Sequence, residues 1–321
     1  MNSTNNLPQS WYPICLSREI KKKQLKPILF NGTDWLLFRG GDGKLGMVSR
    51  FCPHMGTDLA NGKVKDNCIA CPLHEWQFNT EGECTKMPLS NLKPSQVITS
   101  RLFVEEKYGL VFIFWGEKPL FEIPKFTGMD NPVYSTAHVQ YLENTYLAVS
   151  LNGFDTWHFS YVHHRAVSSD YKIFSHSTNH IAISLHTEVI LRSSYDYFMK
   201  SLGFGKSNIQ IDYYGGNLIM VHSTKTGHCA LLALLPGELD RTCTLYFIVA
   251  YPKKASNIFT KVLERFKVQF MRNMTFVFIK PDIPVQKNMR PRKGVLTIND
   301  TAVVDFWNYW DKLPRYPVVT K

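Results

Sequence analysis

Two short runs in the first quarter of the chain each place a thiol beside an imidazole: Cys52-Pro-His54 and, after sixteen intervening residues, Cys71-Pro-Leu-His74. Thiolates and neutral imidazoles are the donors that zinc and iron–sulfur centres select. A zinc finger of two cysteines and two histidines groups its cysteines at one end and its histidines on a helix at the other. Here the donors interleave as Cys-His, Cys-His, which suits a 2Fe-2S cluster with both thiolates on one iron and both imidazoles on the other. Gly56 and Gly62 follow the first pair, and Trp76, Phe78 and Gly82 follow the second, so two turn-rich hairpins would carry the donors at their tips.

A second group of donors lies in Asn152-Gly-Phe-Asp155-Thr-Trp-His158-Phe-Ser-Tyr-Val-His163-His164. Asp155 and His158 are three apart and share a helix face, whereas His163 lies about 140° further round an ideal helix. A helix there must bulge or end between the two histidines. Two imidazoles and one carboxylate on one face of an iron ion form a facial triad, which leaves positions open for other molecules. The third ligand of such a triad must come from elsewhere in the chain.

The stretch from Phe51 to Phe78 resembles the Rieske fold. Asn-x2-Asp-x2-His-x4-His, some eighty residues later, resembles the iron-binding signature of the Rieske non-heme iron oxygenases, in particular their α-subunit-only type. The resemblance covers nearly the whole chain. It implies one 2Fe-2S cluster held by Cys52, His54, Cys71 and His74, and one Fe(II) held by His158 and His163, the latter favoured over its neighbour His164. Lys280-Pro-Asp282-Ile-Pro-Val-Gln286-Lys-Asn288 resembles the late aspartate-bearing segment, so Asp282 is taken as the carboxylate ligand, with Asp300 and Asp305 as alternatives. Asp155 matches the catalytic aspartate that links the iron to a cluster histidine of a neighbouring subunit, here His74. Thr57 and Leu73 stand where respiratory-chain Rieske proteins carry two further cysteines, so the chain resembles the low-potential oxygenase type. Met55 replaces a usual arginine and Glu75 a usual glycine, both beside the donors.

By the same resemblance, the chain would activate dioxygen to hydroxylate or oxidatively demethylate an apolar, ring-containing small molecule. Electrons would come from NADH or NADPH through a separate reductase or ferredoxin, and the assembly would be a head-to-tail homotrimer. Ring cis-dihydroxylation is the alternative reaction. A Rieske electron-transfer protein with a ligand-binding helix-grip domain is the alternative class, and the ligand pattern around Asp155 counts against it.

The elements that must position these donors form an α+β chain. An all-β Rieske domain is expected over 1–117, closing on the apolar run Lys107 to Gly116, and a catalytic domain over 118–321. Ile181, Ile183, Leu185, Thr187, Val189 and Leu191 alternate with period two, and Gly215-Gly216 separates two more strand-like runs. Phe259, Val262, Leu263, Phe266 and Phe270 recur at helical spacing after Ser256, a plausible N-cap, so a long amphipathic helix should lie against the sheet. The resemblance implies a helix-grip (START-like) catalytic domain with an antiparallel sheet. Phe159, Tyr161, Tyr146 and Phe198 are candidate pocket walls.

Composition narrows the rest. At 321 residues with 44% hydrophobic content, the chain can bury two cores. No apolar run approaches the roughly 20 residues of a membrane helix, and the polar start lacks the pattern of a signal peptide, so a cytoplasmic location without a membrane partner is expected. Seven cysteines in that setting read as metal ligands or buried thiols; Cys15, Cys68, Cys84, Cys229 and Cys243 belong to the second group. The net charge of +11 is dispersed apart from Lys21-Lys22-Lys23, which argues against nucleic acid and suits steering of an acidic electron donor.

Overall fold

The computed structural model describes residues 6–88, 93–201, 205–224, 227–237, 241–254, 257–297 and 300–317. It divides into two compact units, one running to Leu120 and taking up the chain again from Arg315, the other Phe121–Pro314. No local pattern announces that return. It is held by a bridge between Pro8 and Arg315 and by the Trp115 indole N–H, which donates to the Tyr316 carbonyl at 3.0 Å.

The first unit is built from two antiparallel sheets. In the larger, the strands run Ser10–Leu16, Leu110–Trp115, Arg101–Lys107, Leu45–Ser49, Thr33–Arg39, Leu25–Phe30. The expected closing strand is shorter than the apolar run suggested. Tyr108 and Gly109 both take positive φ and form a tight turn, so the chain doubles back before Leu110. The smaller sheet pairs Lys63–Lys65, Cys68–Ala70, Gln77–Phe78 and Cys84–Lys86 in sequence order. Leu36, Phe38, Leu59, Ile69 and Phe78 are fully buried and pack with Cys52 and Cys71 in one cluster, so the first unit's core runs up to the thiols.

The second unit wraps helices around a nine-stranded antiparallel sheet whose central order is Pro132–Tyr134, Cys243–Pro252, Cys229–Pro236, Leu218–Ser223, Lys206–Tyr214, His180–Val189, Arg165–Val167. The helices are α1 (Tyr146–Asn152), α2 (Thr156–Tyr161), α3 (Ser194–Met199), α4 (Ile258–Ile279), α5 (Asp282–Gln286) and α6 (Thr301–Lys312). Ile181, Ile183 and Leu185 are buried as their alternation requires. This antiparallel sheet with a long late helix is the α+β arrangement expected.

The long helix is present but turned the other way. Its Asn257 cap accepts from the Thr260 N–H at 2.9 Å, whereas Ser256 falls outside the described residues. Phe259, Val262, Leu263, Phe266 and Phe270, expected to face the sheet, are all exposed, and Val268 is the buried residue of the helix. Periodicity defines a stripe on a helix without saying which way the stripe faces.

Candidate metal centres

The two Cys-His loops of the first unit fold alike. The Cys52 N–H donates to Thr57 O at 2.9 Å and the Gly56 N–H donates back to Cys52 O at 2.9 Å. In the second loop the Cys71 N–H donates to Trp76 O at 2.8 Å and the Glu75 N–H to Cys71 O at 3.0 Å. Each loop closes on a left-handed residue, Gly56 at φ 72° and Glu75 at φ 57°. Glycine adopts that conformation freely, while a glutamate is strained there and is tethered by Lys65 Nζ at 2.8 Å. Across the base of the first loop, Arg50 grips both Asp58 oxygens at 2.7–3.1 Å, and Asp58 also accepts from the Ala60 N–H.

At the tips, the Nδ1 atoms of the exposed His54 and His74 lie 3.1 Å apart, while Cys52 and Cys71 are buried. Trp76 stacks on His54 with centroids 4.3 Å apart and the planes inclined by 12°. Burial pushes the Cys52 thiol up to about 11; the backbone N–H groups of His54 and Met55 oppose the rise and the adjacent Cys71 adds to it. A thiol so reluctant to ionise becomes a thiolate only when a metal takes the proton's place. A single zinc ion would draw its donors to within about 4 Å of one another. Among the described residues, His158, His163 and Asp282 are the one group of three or more donors within 4.8 Å of each other. No three of Cys52, His54, Cys71 and His74 lie that close to one another, so they do not form the compact set that one zinc ion needs. Of the remaining cysteines, Cys68 is half-buried and Cys15, Cys84, Cys229 and Cys243 are buried.

In the second unit, Asp155 caps α2, its Oδ1 accepting from the N–H groups of Trp157 and His158, both at 3.1 Å. The His158 Nδ1–H donates to the Asp155 carbonyl at 3.0 Å, which fixes the tautomer and leaves the Nε2 lone pair facing inward. The helix ends at Tyr161, so His163 is released from helical spacing and swings to the same side. His164 takes φ 52° and points instead to Asp196, at 3.0 Å. Asp282 opens α5, just beyond the end of α4. Neither Asp300, held by Thr297, nor Asp305, on α6, joins the group.

Asp282 Oδ1 lies 3.3 Å from His158 Nε2 and 3.0 Å from His163 Nε2, and it is buried without a hydrogen bond. Three electron-rich atoms thus meet at one point, an arrangement that is costly unless a cation sits there. Burial works to raise the Asp282 carboxyl and to lower the His158 imidazole. The attraction between them prevails, holding Asp282 below the usual carboxylate range and His158 above its ordinary value.

Sequence reasoning assigned no role to three neighbours. Asn152 Nδ2 lies 3.1 Å from His158 Nε2, Phe278 stacks on His163 at 4.3 Å, and the buried Gln286 amide accepts from Asn144 at 3.1 Å. Asn152 stands in the sequence pattern already noted; Gln286 lies four residues after Asp282 on the same short helix, the one signal that could have flagged it, and nothing local marks Phe278.

The triad opens onto a cavity walled by Val149, Ile209, Ile211, Leu232, Phe247 and Phe276. Phe159 lines it as expected. Tyr146 instead packs on Trp310, Tyr161 is 68% exposed, and the Phe198 side chain falls outside the described residues. Aromatic character alone does not separate a pocket wall from core or surface.

Residues 10–97 match the family model of the Rieske [2Fe-2S] domain. Over 185 residues the chain is 31% identical to aminopyrrolnitrin oxygenase PrnD of Pseudomonas fluorescens, covering 54% of this chain and 51% of that protein. The chain therefore carries a Rieske [2Fe-2S] domain. Its aligned part spans about half the length of that oxygenase. The fold is shared with solved oxygenases. Dicamba monooxygenase bound to dicamba superposes with a TM-score of 0.63 at 17% identity, over 95% of this chain and 97% of that one. The oxygenase of carbazole 1,9a-dioxygenase, in its reduced complex with ferredoxin, gives 0.69 at 18% identity, over 97% and 89%.

Proposed function

We propose that this chain is a Rieske non-heme iron oxygenase that hydroxylates, or oxidatively demethylates, an apolar ring-containing small molecule. The observation that carries the reading is the meeting of Asp282 Oδ1 with the two imidazoles at the end of an apolar cavity. Overall, substrate C–H, dioxygen, two electrons and two protons become C–OH and water. Held by His158, His163 and Asp282, Fe(II) would supply the dioxygen-activating chemistry, and the 2Fe-2S cluster held by Cys52, His54, Cys71 and His74 the electrons.

The chain's own residues do the positioning. The Asp155 carbonyl locks the His158 tautomer, and the Phe278 ring holds the plane of His163. Aliphatic and phenyl walls orient an apolar substrate and exclude water, while Asn152, Thr275 and Gln286 add a few polar groups. Asp155 is the group that would join this centre to His74 of a neighbouring copy in a ring of three, His74 being exposed at its loop tip. Electrons would arrive from NAD(P)H through a reductase or ferredoxin, a reading supported by the ferredoxin-bound oxygenase of carbazole 1,9a-dioxygenase that shares the fold. The chain's relatives in sequence and fold include enzymes named for aminopyrrolnitrin and dicamba, both ring compounds, which supports the substrate class.

The test is reductase-dependent oxygen uptake by the purified protein against panels of steroids, methoxylated aromatics and indolic compounds. Uptake stoichiometric with a hydroxylated or demethylated product, abolished in His163→Ala, supports the proposal. Equal uptake by the wild type and His163→Ala overturns it.

A further inference from the structure

Helix α4 is amphipathic in the reverse of the usual sense for a helix on a sheet. Ile258, Phe259, Val262, Leu263, Phe266 and Phe270 are each between 54% and 78% exposed. At 100° per residue they occupy an arc of about 140°, wide enough for a continuous apolar stripe. The opposite side packs inward at Val268, and further along Thr275, Phe276, Phe278 and Ile279 line the cavity. Water does not tolerate such a stripe cheaply, since every aromatic left exposed forgoes the gain of burial. A surface patch of this kind marks a binding face.

The charges around it identify the occupant. Lys253, Lys254, Lys261, Arg265 and Lys267 are exposed on or just before the helix, and Glu264 is the one carboxylate between Lys253 and Lys280. The Glu264 carboxylate is already used, accepting from the Lys254 backbone N–H at 2.8 Å. A second copy of a chain with net charge +11 would bring the same cations against themselves. An anionic lipid surface complements both features, taking the apolar stripe into the acyl boundary and the cations among its headgroups. No helix among the described residues is long and apolar enough to cross a membrane, so the contact is one of lying on the surface rather than spanning it.

We infer that α4 docks this protein onto anionic bilayers through the stripe Ile258 to Phe270, rimmed by Lys261, Arg265 and Lys267. This inference does not depend on the catalytic reading.

The test is flotation of the full-length protein with phosphatidylglycerol–phosphatidylcholine vesicles and with phosphatidylcholine vesicles, alongside light scattering of the free protein. The wild type should float with the anionic vesicles, and raised salt should release it. Phe259→Ser/Phe266→Ser should bind more than tenfold more weakly, and Lys261→Gln/Arg265→Gln about fivefold more weakly per charge removed. Both pairs are exposed, so thermal melts should match the wild type. Failure of the wild type to float, or undiminished flotation of both variants, overturns the proposal. So does a fall in oligomer mass in Phe259→Ser/Phe266→Ser, which would assign the stripe to a contact between copies.

Discussion

Asp155 holds His158 twice, through the backbone N–H that its carboxylate accepts at 3.1 Å and through the ring Nδ1–H that its carbonyl accepts at 3.0 Å. One residue therefore starts the helix and sets the tautomer of a candidate ligand. Asn is as good an N-cap as Asp, so Asp155→Asn keeps the helix, whereas Asp155→Ala costs about 1 kcal/mol of stability. In Asp155→Asn, cluster absorbance and iron content should stay at wild-type levels while turnover falls by about a hundredfold or more. Undiminished turnover would remove Asp155 from the reaction.

Metal binding at the triad should stabilise the second unit. A ligand at a hundred times its dissociation constant adds about 2.7 kcal/mol to a site absent from the unfolded chain. Anaerobic addition of Fe(II) to metal-stripped protein should raise the melting temperature of wild type and leave that of Asp282→Ala unchanged. An equal rise in both would place the metal elsewhere.

The first cluster loop should loosen in acid by way of Asp58. Its hydrogen bonds to the Arg50 guanidinium hold the carboxyl below the usual carboxylate range, against the effect of burial. A depressed carboxyl gives stability that is fully present above the unfolded value, about 3.9, and is lost as pH falls through the lower folded value. Wild-type cluster absorbance should therefore survive to below about pH 4 and then bleach. Asp58→Asn should bleach at higher pH and lack that dependence. Coincident acid-bleaching curves would contradict the brace.

Glu75 closes the second loop at φ 57°, where glycine is free and side chains are strained. Glu75→Gly should hold or raise the melting temperature by a few degrees despite losing the Lys65 ion pair, because exposed pairs contribute little. Glu75→Val should lower it, β-branched residues being the least tolerant of positive φ. Scanning calorimetry decides both.

Much of both centres could be read from spacing, because donors close in sequence occupy loops whose shape is local. Cys52 and His54 lie on one tip; His158 and His163 straddle a helix end that their five-residue separation already demanded. Asp282 was reachable only by resemblance: Pro281 and Pro284 remove the helical rules that would aim it, and its direction comes from how α4 delivers the chain. The outward turn of Phe259 and Phe266 escaped for a different reason. Inner and outer faces of a helix are decided by what the sheet offers to cover, and no window of the sequence carries that information. The return of Arg315 to the first unit was likewise a long-range fact, written in an indole–carbonyl hydrogen bond between Trp115 and Tyr316.

The indole of Trp76 breaks the near-equivalence of the two Cys-His loops. It shields one face of His54 and has no counterpart recorded over His74 among the ring contacts of the described residues. The two imidazoles should thus differ in reach: His54 is braced from one side, and in the proposed ring His74 would be the terminal presented to a neighbouring copy.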